Sequence, residues 1–312
     1  MKFLFIDTTH PLLKEKFKKV GIQCDYFPDL NYDKVFNIIH QYDGIIIRSK
    51  ITLDAKILKK ATHLKCIGRV GSGMENIDIN TASELGIVCF NSPEGNRDAV
   101  AEHALGMMLT LFNNLLRANM EVKQGIWKRE ENRGIEIKGK NIGIIGYGNT
   151  GSAFAQKLSG LEANVMAYDK YKSHFSSSIV KEVTLQEIQK YCDIISFHVP
   201  LTQETHYLFN STFIAQCANP FYLINTSRGP IVNTHDLIQA LKSKKVKGAM
   251  LDVIEYEETS FEKVSSFPPE FHELASFENV LLSPHIAGWT YESKIKLAEI
   301  LADKILKYLN LA

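Results

Sequence analysis

A chain of 312 residues is longer than one ordinary hydrophobic core needs, which predicts two domains. The hydrophobic fraction of 45%, the charged fraction of 23% and the net charge of +1 are those of a globular protein without a nucleic-acid-binding surface or an acidic tail. The first apolar stretch is too short for a signal peptide and no apolar run could span a bilayer. The five scattered cysteines, none in a C-x-x-C pair, predict a cytoplasmic protein with neither disulfides nor a metal site.

Short apolar runs of β type alternate with helical periodicity, which predicts parallel sheets with crossover helices. The alternation occurs twice, so we predict an α/β protein with two doubly wound domains. In the first series, strands are predicted near 2–6, 22–27, 44–48, 65–70 and 87–90, with helices near 11–19, 32–40, 54–60 and 76–85. In the second, strands are predicted near 141–145, 164–168, 193–197, 221–225, 248–252 and 279–282, with helices near 151–160, 184–190, 211–216 and 235–243.

A long helix is predicted between the two series, over about 94–118, because Ser92-Pro93-Glu94 is a typical helix start. The first crossing between domains is placed at 91–95. A last amphipathic helix is predicted over about 291–309. The stretch 257–275 is predicted to be an irregular excursion with at most one short helix.

A glycine-rich loop follows the first strand of the second series. Gly146, Gly148 and Gly151 have the G-x-G-x-x-G spacing, in which the glycines permit a tight turn, the approach of a pyrophosphate and close helix packing. The next strand ends in Asp169, whose carboxylate would accept hydrogen bonds from adenosine ribose hydroxyls and repel a 2′-phosphate. Methyltransferases use similar loops, but a strand, a helix and an acid in register favour a dinucleotide. The motif therefore predicts NAD rather than NADP, a preference that the neighbouring Lys170 could weaken.

Three side chains suited to one reaction follow strands of the second series. Arg228 comes after FYLIN, Glu257 after LDV, and His285 lies in SPHIAG. The carboxyl ends of strands in an open α/β sheet face the ligand crevice, so all three should point towards the dinucleotide. Reduction of a 2-oxo acid needs a cation for the carboxylate and an acid for the carbonyl oxygen, roles that arginine and histidine suit. A hydrogen bond that Glu257 accepts from the imidazole would fix the tautomer.

Each of these residues also has a simpler interpretation. An arginine after a strand is usually a surface salt-bridge partner, and a histidine after proline is usually a turn residue. Glu257 lies in an acidic run that could be a solvated face. His198, at another strand end, is expected to line the cofactor site, whereas His103, in the middle of a helix, is expected to be packed.

Taken together, the motifs resemble those of the D-isomer-specific 2-hydroxyacid dehydrogenases. The resemblance rests on GYGNTG with Asp169, HVPLT at 198–202, NTSRG at 225–229, LDV with an acid at 252–257, and SPHIAG at 283–288, in family order over nearly the whole chain. It implies that Arg228, Glu257 and His285 are catalytic, that NAD is the cofactor and that the protein is a homodimer. The implied cofactor-binding residues are Gly146, Tyr147, Gly148, Asn149, Thr150, Gly151, Asp169, His198, Val199, Pro200, Thr205, Thr226, Ser227, Asp252 and Gly288.

The resemblance also implies a domain organisation. Residues 95–287 would form a Rossmann-type NAD-binding domain. Residues 1–94 together with 288–312 would form a smaller, flavodoxin-like substrate domain. The cleft between the domains would close to exclude water from the reaction.

Two loops of the first series resemble those of the family's phosphoglycerate-specific branch, namely IIIRS at 45–49 and GRVGSGMENID at 68–78. They imply 3-phosphoglycerate and 3-phosphohydroxypyruvate as the substrate pair, in serine biosynthesis, with Arg48 and Arg69 on the phosphate. The implied substrate-binding residues are Arg48, Ser49, Arg69, Val70, Gly71, Ser72 and Gly73. Two features depart from the family pattern: Glu258 stands where a proline is usual, and the stretch from Glu257 to His285 is longer.

Two alternative functions remain open from the sequence. One is a reductase of glyoxylate, hydroxypyruvate or pyruvate, the last being the D-lactate type. The other is an NAD(H)-sensing binding protein of the corepressor kind, which shares this fold and can retain the three catalytic residue types. No membrane or nucleic-acid partner is expected for any of them.

Overall fold

The computed structural model describes residues 1–258 and 266–311. The chain forms two compact units, one containing 1–97 and 289–311 and the other containing 98–257 and 266–288. Within the described ranges, no helix combines the length and the apolar character that crossing a membrane would require. Residues 259–265, part of the excursion predicted at 257–275, lie outside the described residues.

Both units consist of alternating strands and helices. The strands are β1 (Lys2–Phe5), β2 (Gln23–Tyr26), β3 (Gly44–Ile47), β4 (Cys66–Arg69), β5 (Val88–Phe90), β6 (Asn141–Ile145), β7 (Asn164–Tyr168), β8 (Lys181–Glu182), β9 (Ile194–Phe197), β10 (Phe221–Asn225), β11 (Val246–Leu251) and β12 (Val280–Leu282). The α-helices are α1 (Pro11–Lys19), α2 (Tyr32–Ile38), α3 (Ala55–Lys60), α4 (Ile79–Glu84), α5 (Arg97–Phe112), α6 (Leu115–Lys123), α7 (Asn149–Leu158), α8 (Leu185–Tyr191), α9 (Ser211–Gln216), α10 (Thr234–Lys242), α11 (Pro269–Ala275) and α12 (Tyr291–Tyr308).

The first unit is built on a parallel sheet with the strand order β2-β1-β3-β4-β5. This is the flavodoxin-like, doubly wound order, as the sequence predicted. The last helix, α12, belongs to this unit because its apolar face is buried against the sheet. Leu301 and Ile305 share one core cluster with Phe3, Phe5 and Phe17.

The second unit is built on a parallel sheet with the strand order β12-β11-β10-β9-β6-β7-β8. The chain runs outward from β6 to β8 and then returns to β9 on the other side of β6. The topological switch point therefore lies between β6 and β9, where an open α/β sheet binds its ligand. The central strands β9 and β10 are almost completely buried, which explains why their sequences, IISF and FYLIN, are continuous apolar runs.

The predicted strands are confirmed to within two residues. The long helical segment predicted at about 94–118 is largely helical, but it is divided into two helices. The chain forms a 3₁₀ turn at Pro93–Gly95, then α5, and then α6. Asn114 separates the two helices because its backbone is left-handed, with φ of +51°, a conformation that asparagine tolerates better than most residues. The short edge strand β8 was not predicted, since Lys181 and Glu182 carry no apolar pattern.

Candidate active site

The three side chains predicted to be catalytic follow three adjacent strands. Arg228 follows β10, Glu257 follows β11 and His285 follows β12. Backbone hydrogen bonds continue beyond the strands, since Asp252 N–H donates to Asn225 O at 3.0 Å and His285 N–H donates to Asp252 O at 2.7 Å. The sheet therefore brings all three segments to the side where its strands have their carboxyl ends, and neighbouring segments lie one strand spacing apart.

Glu257 and His285 are in direct contact, as the sequence predicted. His285 Nδ1 lies 2.6 Å from Glu257 Oε2, and the other carboxylate oxygen accepts the N–H of Ile254 at 2.7 Å. Because a carboxylate oxygen accepts, Nδ1 is the donor in this contact. Proton exchange between His285 and a ligand would then use Nε2.

The Asp252 carboxylate holds the loop that carries His285. Its Oδ1 accepts the hydroxyl of Ser283 at 2.6 Å and the N–H of Ile286 at 2.9 Å, and its Oδ2 accepts the N–H of Ala287 at 2.8 Å. The side chain is fully buried. His285 itself has φ of +55°, a strained value for a residue other than glycine, so the anchored loop fixes an unfavourable backbone conformation.

A buried asparagine organises the turn that carries Arg228. Asn225 Oδ1 accepts both the N–H and the hydroxyl of Ser227, at 3.1 and 2.7 Å, while its Nδ2 donates to Arg228 O at 2.9 Å. Arg228 Nη1 in turn donates to Ser227 O at 2.7 Å. Gly229 follows because a β-carbon there would lie 1.9 Å from the carbonyl oxygen of Ile254. The glycine thus lets this turn pack against the segment that leads to Glu257.

The glycine loop fits a bound dinucleotide. A β-carbon at Gly151 would lie 2.0 Å from the carbonyl oxygen of Gly146, so α7 can start against the end of β6 only with glycine there. Nothing lies within 4 Å of a β-carbon placed on Gly148, which is the N-cap of α7. The first turn of α7, with Asn149 and Thr150, follows this uncrowded glycine, and the dipole of such a helix end stabilises an anion.

Asp169 lies at the end of β7, beside this loop. Its Oδ2 accepts the N–H of Tyr147 at 2.8 Å, and its Oδ1 accepts the N–H groups of Tyr171 and Lys172 at 2.9 and 3.0 Å. A carboxylate offers about four lone-pair sites, so it can still accept from a ligand hydroxyl. An open cavity of about 710 Å³ borders Asp169, Lys172 and Glu182.

Two buried polar atoms near the switch point make no hydrogen bond among the described residues. They are His198 Nδ1 and Thr226 Oγ1. His198 follows β9, its Nε2 contacts Ser196 Oγ at 2.8 Å, and burial lowers the pKa of the imidazole to about 4. Buried polar atoms usually find a partner, so these two are consistent with a polar ligand at this position.

The remaining residues in the predicted cofactor set lie in loops that follow the carboxyl ends of strands in this sheet. A β-carbon at Gly146 would lie 2.5 Å from His198 O and 2.8 Å from Val199 Cγ1. Thr205 closes the following turn by donating its hydroxyl to Pro200 O at 2.6 Å. Gly288 follows Ala287, the last residue that Asp252 anchors.

The first unit brings the predicted substrate-binding residues together in two loops. After β4, the Arg69 guanidinium lies against Gly71, where a β-carbon would come within 1.4 Å of Nη1. Ser72 donates its hydroxyl to Asn96 Oδ1 at 2.6 Å, and Val70 N–H donates to Ile47 O at 2.8 Å. The loop at 70–73 is thus fixed next to one of the two predicted phosphate-binding arginines, and Gly73 completes it.

The other arginine follows β3. Arg48 N–H donates to Asp7 Oδ2 at 2.5 Å, and its guanidinium lies over the Trp289 ring, 4.4 Å from the centroid. Ser49 is next in the same loop. The sequence does not predict this cation–π contact between two residues that lie far apart in the chain.

Two residues of the second unit's site were not predicted from the sequence. Asn225 belongs to the NTSRG motif, which gives no separate indication that its side chain organises the turn. His103, expected to be packed, makes polar contacts with Ser283 and Asp252. No sequence signal pairs His103 with a residue 180 positions away.

These features define a class: an α/β protein of two doubly wound units, with a dinucleotide-binding loop and a histidine–carboxylate pair at the sheet edge. Residues 105–287 match the family model described as D-isomer specific 2-hydroxyacid dehydrogenase, NAD binding domain. The chain belongs to the D-isomer-specific 2-hydroxyacid dehydrogenase family, and its second unit is the NAD-binding domain.

Relatives within the family act on different acids. The chain is 34% identical to a D-3-phosphoglycerate dehydrogenase from Archaeoglobus fulgidus over 98% of its length, but it spans only 57% of that protein. It is also 34% identical to a hydroxypyruvate reductase from Thermotoga maritima, with 90% of each chain covered. A D-lactate dehydrogenase from Aquifex aeolicus, solved with NAD and lactic acid, superposes with a TM-score of 0.84 at 28% identity, covering 99% and 96% of the two chains.

Proposed function

We propose that this protein is an NAD-dependent dehydrogenase that interconverts a D-2-hydroxy acid and the corresponding 2-oxo acid. The observation that carries the proposal is the 2.6 Å contact between Glu257 Oε2 and His285 Nδ1 at the edge of an NAD-binding sheet. A histidine held by a carboxylate in one tautomer is suited to general acid–base catalysis.

Each residue of the proposed catalytic set has a distinct task in the reduction direction. Arg228 binds the substrate carboxylate with its planar fork. Protonated His285 gives the proton on Nε2 to the carbonyl oxygen, and Glu257 stabilises the imidazolium and holds it in place. Bound NADH supplies the hydride that C2 receives. In the oxidation direction His285 takes the hydroxyl proton instead.

The choice of NAD over NADP is assigned to Asp169. Its carboxylate is fixed by three backbone N–H groups at the end of β7, next to the glycine loop. A fixed negative charge there accepts ribose hydroxyls and repels a 2′-phosphate. The dipole of α7 supports the pyrophosphate at its N-terminus.

The proposed substrate pair is 3-phosphoglycerate and 3-phosphohydroxypyruvate, which places the reaction in serine biosynthesis. The sequence likeness of both first-unit loops to the phosphoglycerate-specific branch supports this choice, as does the Archaeoglobus relative. Arg48 and Arg69 would provide the positive charge for the phosphate. A hydrogen bond to a charged group contributes about 1.5–3 kcal/mol, so each arginine could favour the phosphorylated acid by roughly 10- to 100-fold.

Reduction of hydroxypyruvate is the second candidate function. It is favoured by the identity to the Thermotoga hydroxypyruvate reductase, which equals that to the phosphoglycerate dehydrogenase at 34%. The two candidates share their chemistry at C2 and differ only in whether the substrate carries a phosphate.

A panel of 2-oxo acids assayed with NADH distinguishes the candidates. We expect kcat/KM for 3-phosphohydroxypyruvate to exceed that for hydroxypyruvate, glyoxylate and pyruvate. Arg69→Ala should remove most of this difference in kcat/KM and leave kcat/KM for the small acids nearly unchanged. Arg129→Ala, which removes an exposed arginine of the other unit, is the control and should leave the difference in place. Equal kcat/KM for hydroxypyruvate and its phosphorylated form in the unmodified protein would replace the phosphoglycerate assignment with the hydroxypyruvate one. Turnover of none of the acids, with NADH still bound, would favour an NAD(H)-sensing binding protein.

We further propose that the partner of this chain is a second copy of itself. Helix α6 has no buried residue, and it exposes Leu115, Leu116 and Met120 by more than half; Trp127, a few residues further on, is 77% exposed. Apolar side chains clustered in this way on one segment are typical of an interface. Light scattering should give a dimer mass, and Met120→Glu should give a monomer; a monomer mass for the unmodified chain would contradict the proposal.

The thiols are consistent with a reducing cytoplasm, where we place the protein. All five cysteines are free. Burial raises the pKa of Cys66 and Cys192 to about 12, so these two thiols are inert near neutral pH.

A further inference from the structure

A histidine outside the proposed catalytic set contacts the network that holds His285. His103 lies in the first half of α5, and its Nε2 is 2.9 Å from Ser283 Oγ and 3.4 Å from Asp252 Oδ1. Its side chain is 24% exposed, whereas the Asp252 side chain is completely buried. The contacts join α5 to the ends of β11 and β12 within the second unit.

The protons in this network can be assigned from hydrogen-bonding capacity. Ser283 has one hydroxyl proton, and the Asp252 carboxylate, 2.6 Å away, is its strongest acceptor; the Met107 sulfur, at 3.9 Å, is weaker. The hydroxyl oxygen must therefore accept from His103, which requires a proton on His103 Nε2. The result is a chain of hydrogen bonds that runs from His103 through Ser283 to Asp252.

This chain ends on the backbone around His285. Asp252 accepts the N–H groups of Ile286 and Ala287, the two residues that follow the histidine, and His285 has a strained positive φ. A strained residue keeps its conformation only while its surroundings hold it. The orientation of Asp252 therefore determines where the His285 ring lies, and His103 and Ser283 are the side chains that orient Asp252.

We propose that His103 is a positioning residue for the reaction: through Ser283 it orients Asp252, and Asp252 sets the loop that presents His285. The proposal rests on the proposed dehydrogenase function, in which His285 exchanges the substrate proton. Among the residues that the structure describes, the polar contacts of His103 are with Ser283 and Asp252 and not with Glu257 or the glycine loop, so its effect should fall on turnover rather than on NADH binding.

Two substitutions separate the hydrogen bond from the volume of the side chain. His103→Leu removes the donor and should lower kcat by about 10- to 100-fold, since a small misplacement of a catalytic group has an effect of that size. His103→Gln keeps an N–H donor at a similar reach and should restore kcat to within about threefold of the unmodified protein. KM for the 2-oxo acid and the Kd of NADH should change little in both. Glu102→Gln, one residue earlier in α5 and paired with Lys157 at the surface, is the control and should leave kcat unchanged.

A double-mutant cycle tests whether the effect passes through Ser283. If it does, His103→Leu and Ser283→Ala together should lower kcat no further than the stronger single substitution. Independent effects would multiply instead, and that result would overturn the proposed chain. A His103→Gln variant as impaired as His103→Leu, or a His103→Leu variant with unmodified kcat, would overturn it as well.

Hydrogen exchange provides a test that does not depend on turnover. The amides of Ile286 and Ala287 should exchange at least about tenfold faster in His103→Leu than in the unmodified protein, and His103→Gln should restore their protection. Unchanged exchange in His103→Leu would refute the positioning role. If the unmodified protein turned over no 2-oxo acid while the exchange difference was present, the proposed function would fail and the positioning of the loop would stand.

Discussion

Gly229→Ala should misalign the proposed catalytic set without changing any of its side chains. The added β-carbon would lie 1.9 Å from the carbonyl oxygen of Ile254 and 2.6 Å from the nitrogen of Glu255. Heavy atoms of this kind normally keep about 3.4 Å or more, so one of the two segments must move by about 1.5 Å. The turn carrying Arg228 lies on one side of the contact, and the segment leading to Glu257 lies on the other. A displacement of this size at a catalytic group lowers turnover by about 100-fold, and overpacking costs about 1–3 kcal/mol of stability.

Steady-state kinetics with NADH and the preferred 2-oxo acid, together with thermal unfolding, measure both effects. Gly160→Ala is the matched control because nothing lies within 4 Å of a β-carbon at that position. The control should keep the kcat of the unmodified protein and about the same Tm. A Gly229→Ala variant whose kcat stays within about twofold of the unmodified protein would refute the reasoning, since the clash would then be absorbed without moving Arg228 or Glu257.

Three further outcomes are expected. His285→Ala should lower kcat by about 10²–10⁴-fold while NADH binding, followed by fluorescence, is retained; near-normal turnover would disprove its role as the acid. The unmodified protein should have a higher kcat/KM with NADH than with NADPH, and Asp169→Ala should reduce this difference. A preference of the unmodified protein for NADPH would contradict the role assigned to Asp169. Burial lowers the pKa of His198 from 6.5 to about 4 in the folded protein. Between these two pH values the unfolded chain binds more protons than the folded protein does. The stability that is present above pH 6.5 is therefore lost as the pH falls towards 4. The loss attributable to this group is about 3 kcal/mol. The free energy of unfolding, measured with denaturant, should fall less between pH 6.5 and 4 in His198→Asn than in the unmodified protein. An equal fall in both proteins would count against this explanation.

The sequence predicted most of the fold because the parallel strands are buried and their apolar runs are continuous. The strands β6, β7 and β10 have the predicted limits, and the elements of the first unit follow the predicted order. The prediction failed at Asn113–Asn114, where the left-handed backbone of Asn114 separates α5 from α6. Two asparagines are weak helix formers, but the apolar residues on both sides continue the helical pattern, so the pattern did not locate the break.

The candidate site was predictable where its contacts follow from strand order. The pairing of Glu257 with His285 could be anticipated because both follow strands that end at the same sheet edge. The contacts of His103 with Ser283, and of Arg48 with Trp289, join residues far apart in the sequence and depend on side-chain orientation. Such contacts follow from packing in three dimensions, which no local pattern encodes.

The most direct test of the proposed activity is transfer of the hydride itself. The protein would be incubated with NADH deuterated at both C4 positions of the nicotinamide and with 3-phosphohydroxypyruvate or hydroxypyruvate, and the product analysed by mass spectrometry and chiral chromatography. The proposed function predicts one deuterium at C2 of a D-hydroxy acid. Recovery of the unreacted 2-oxo acid while NADH remains bound would contradict the proposed function, and so would formation of the L-hydroxy acid.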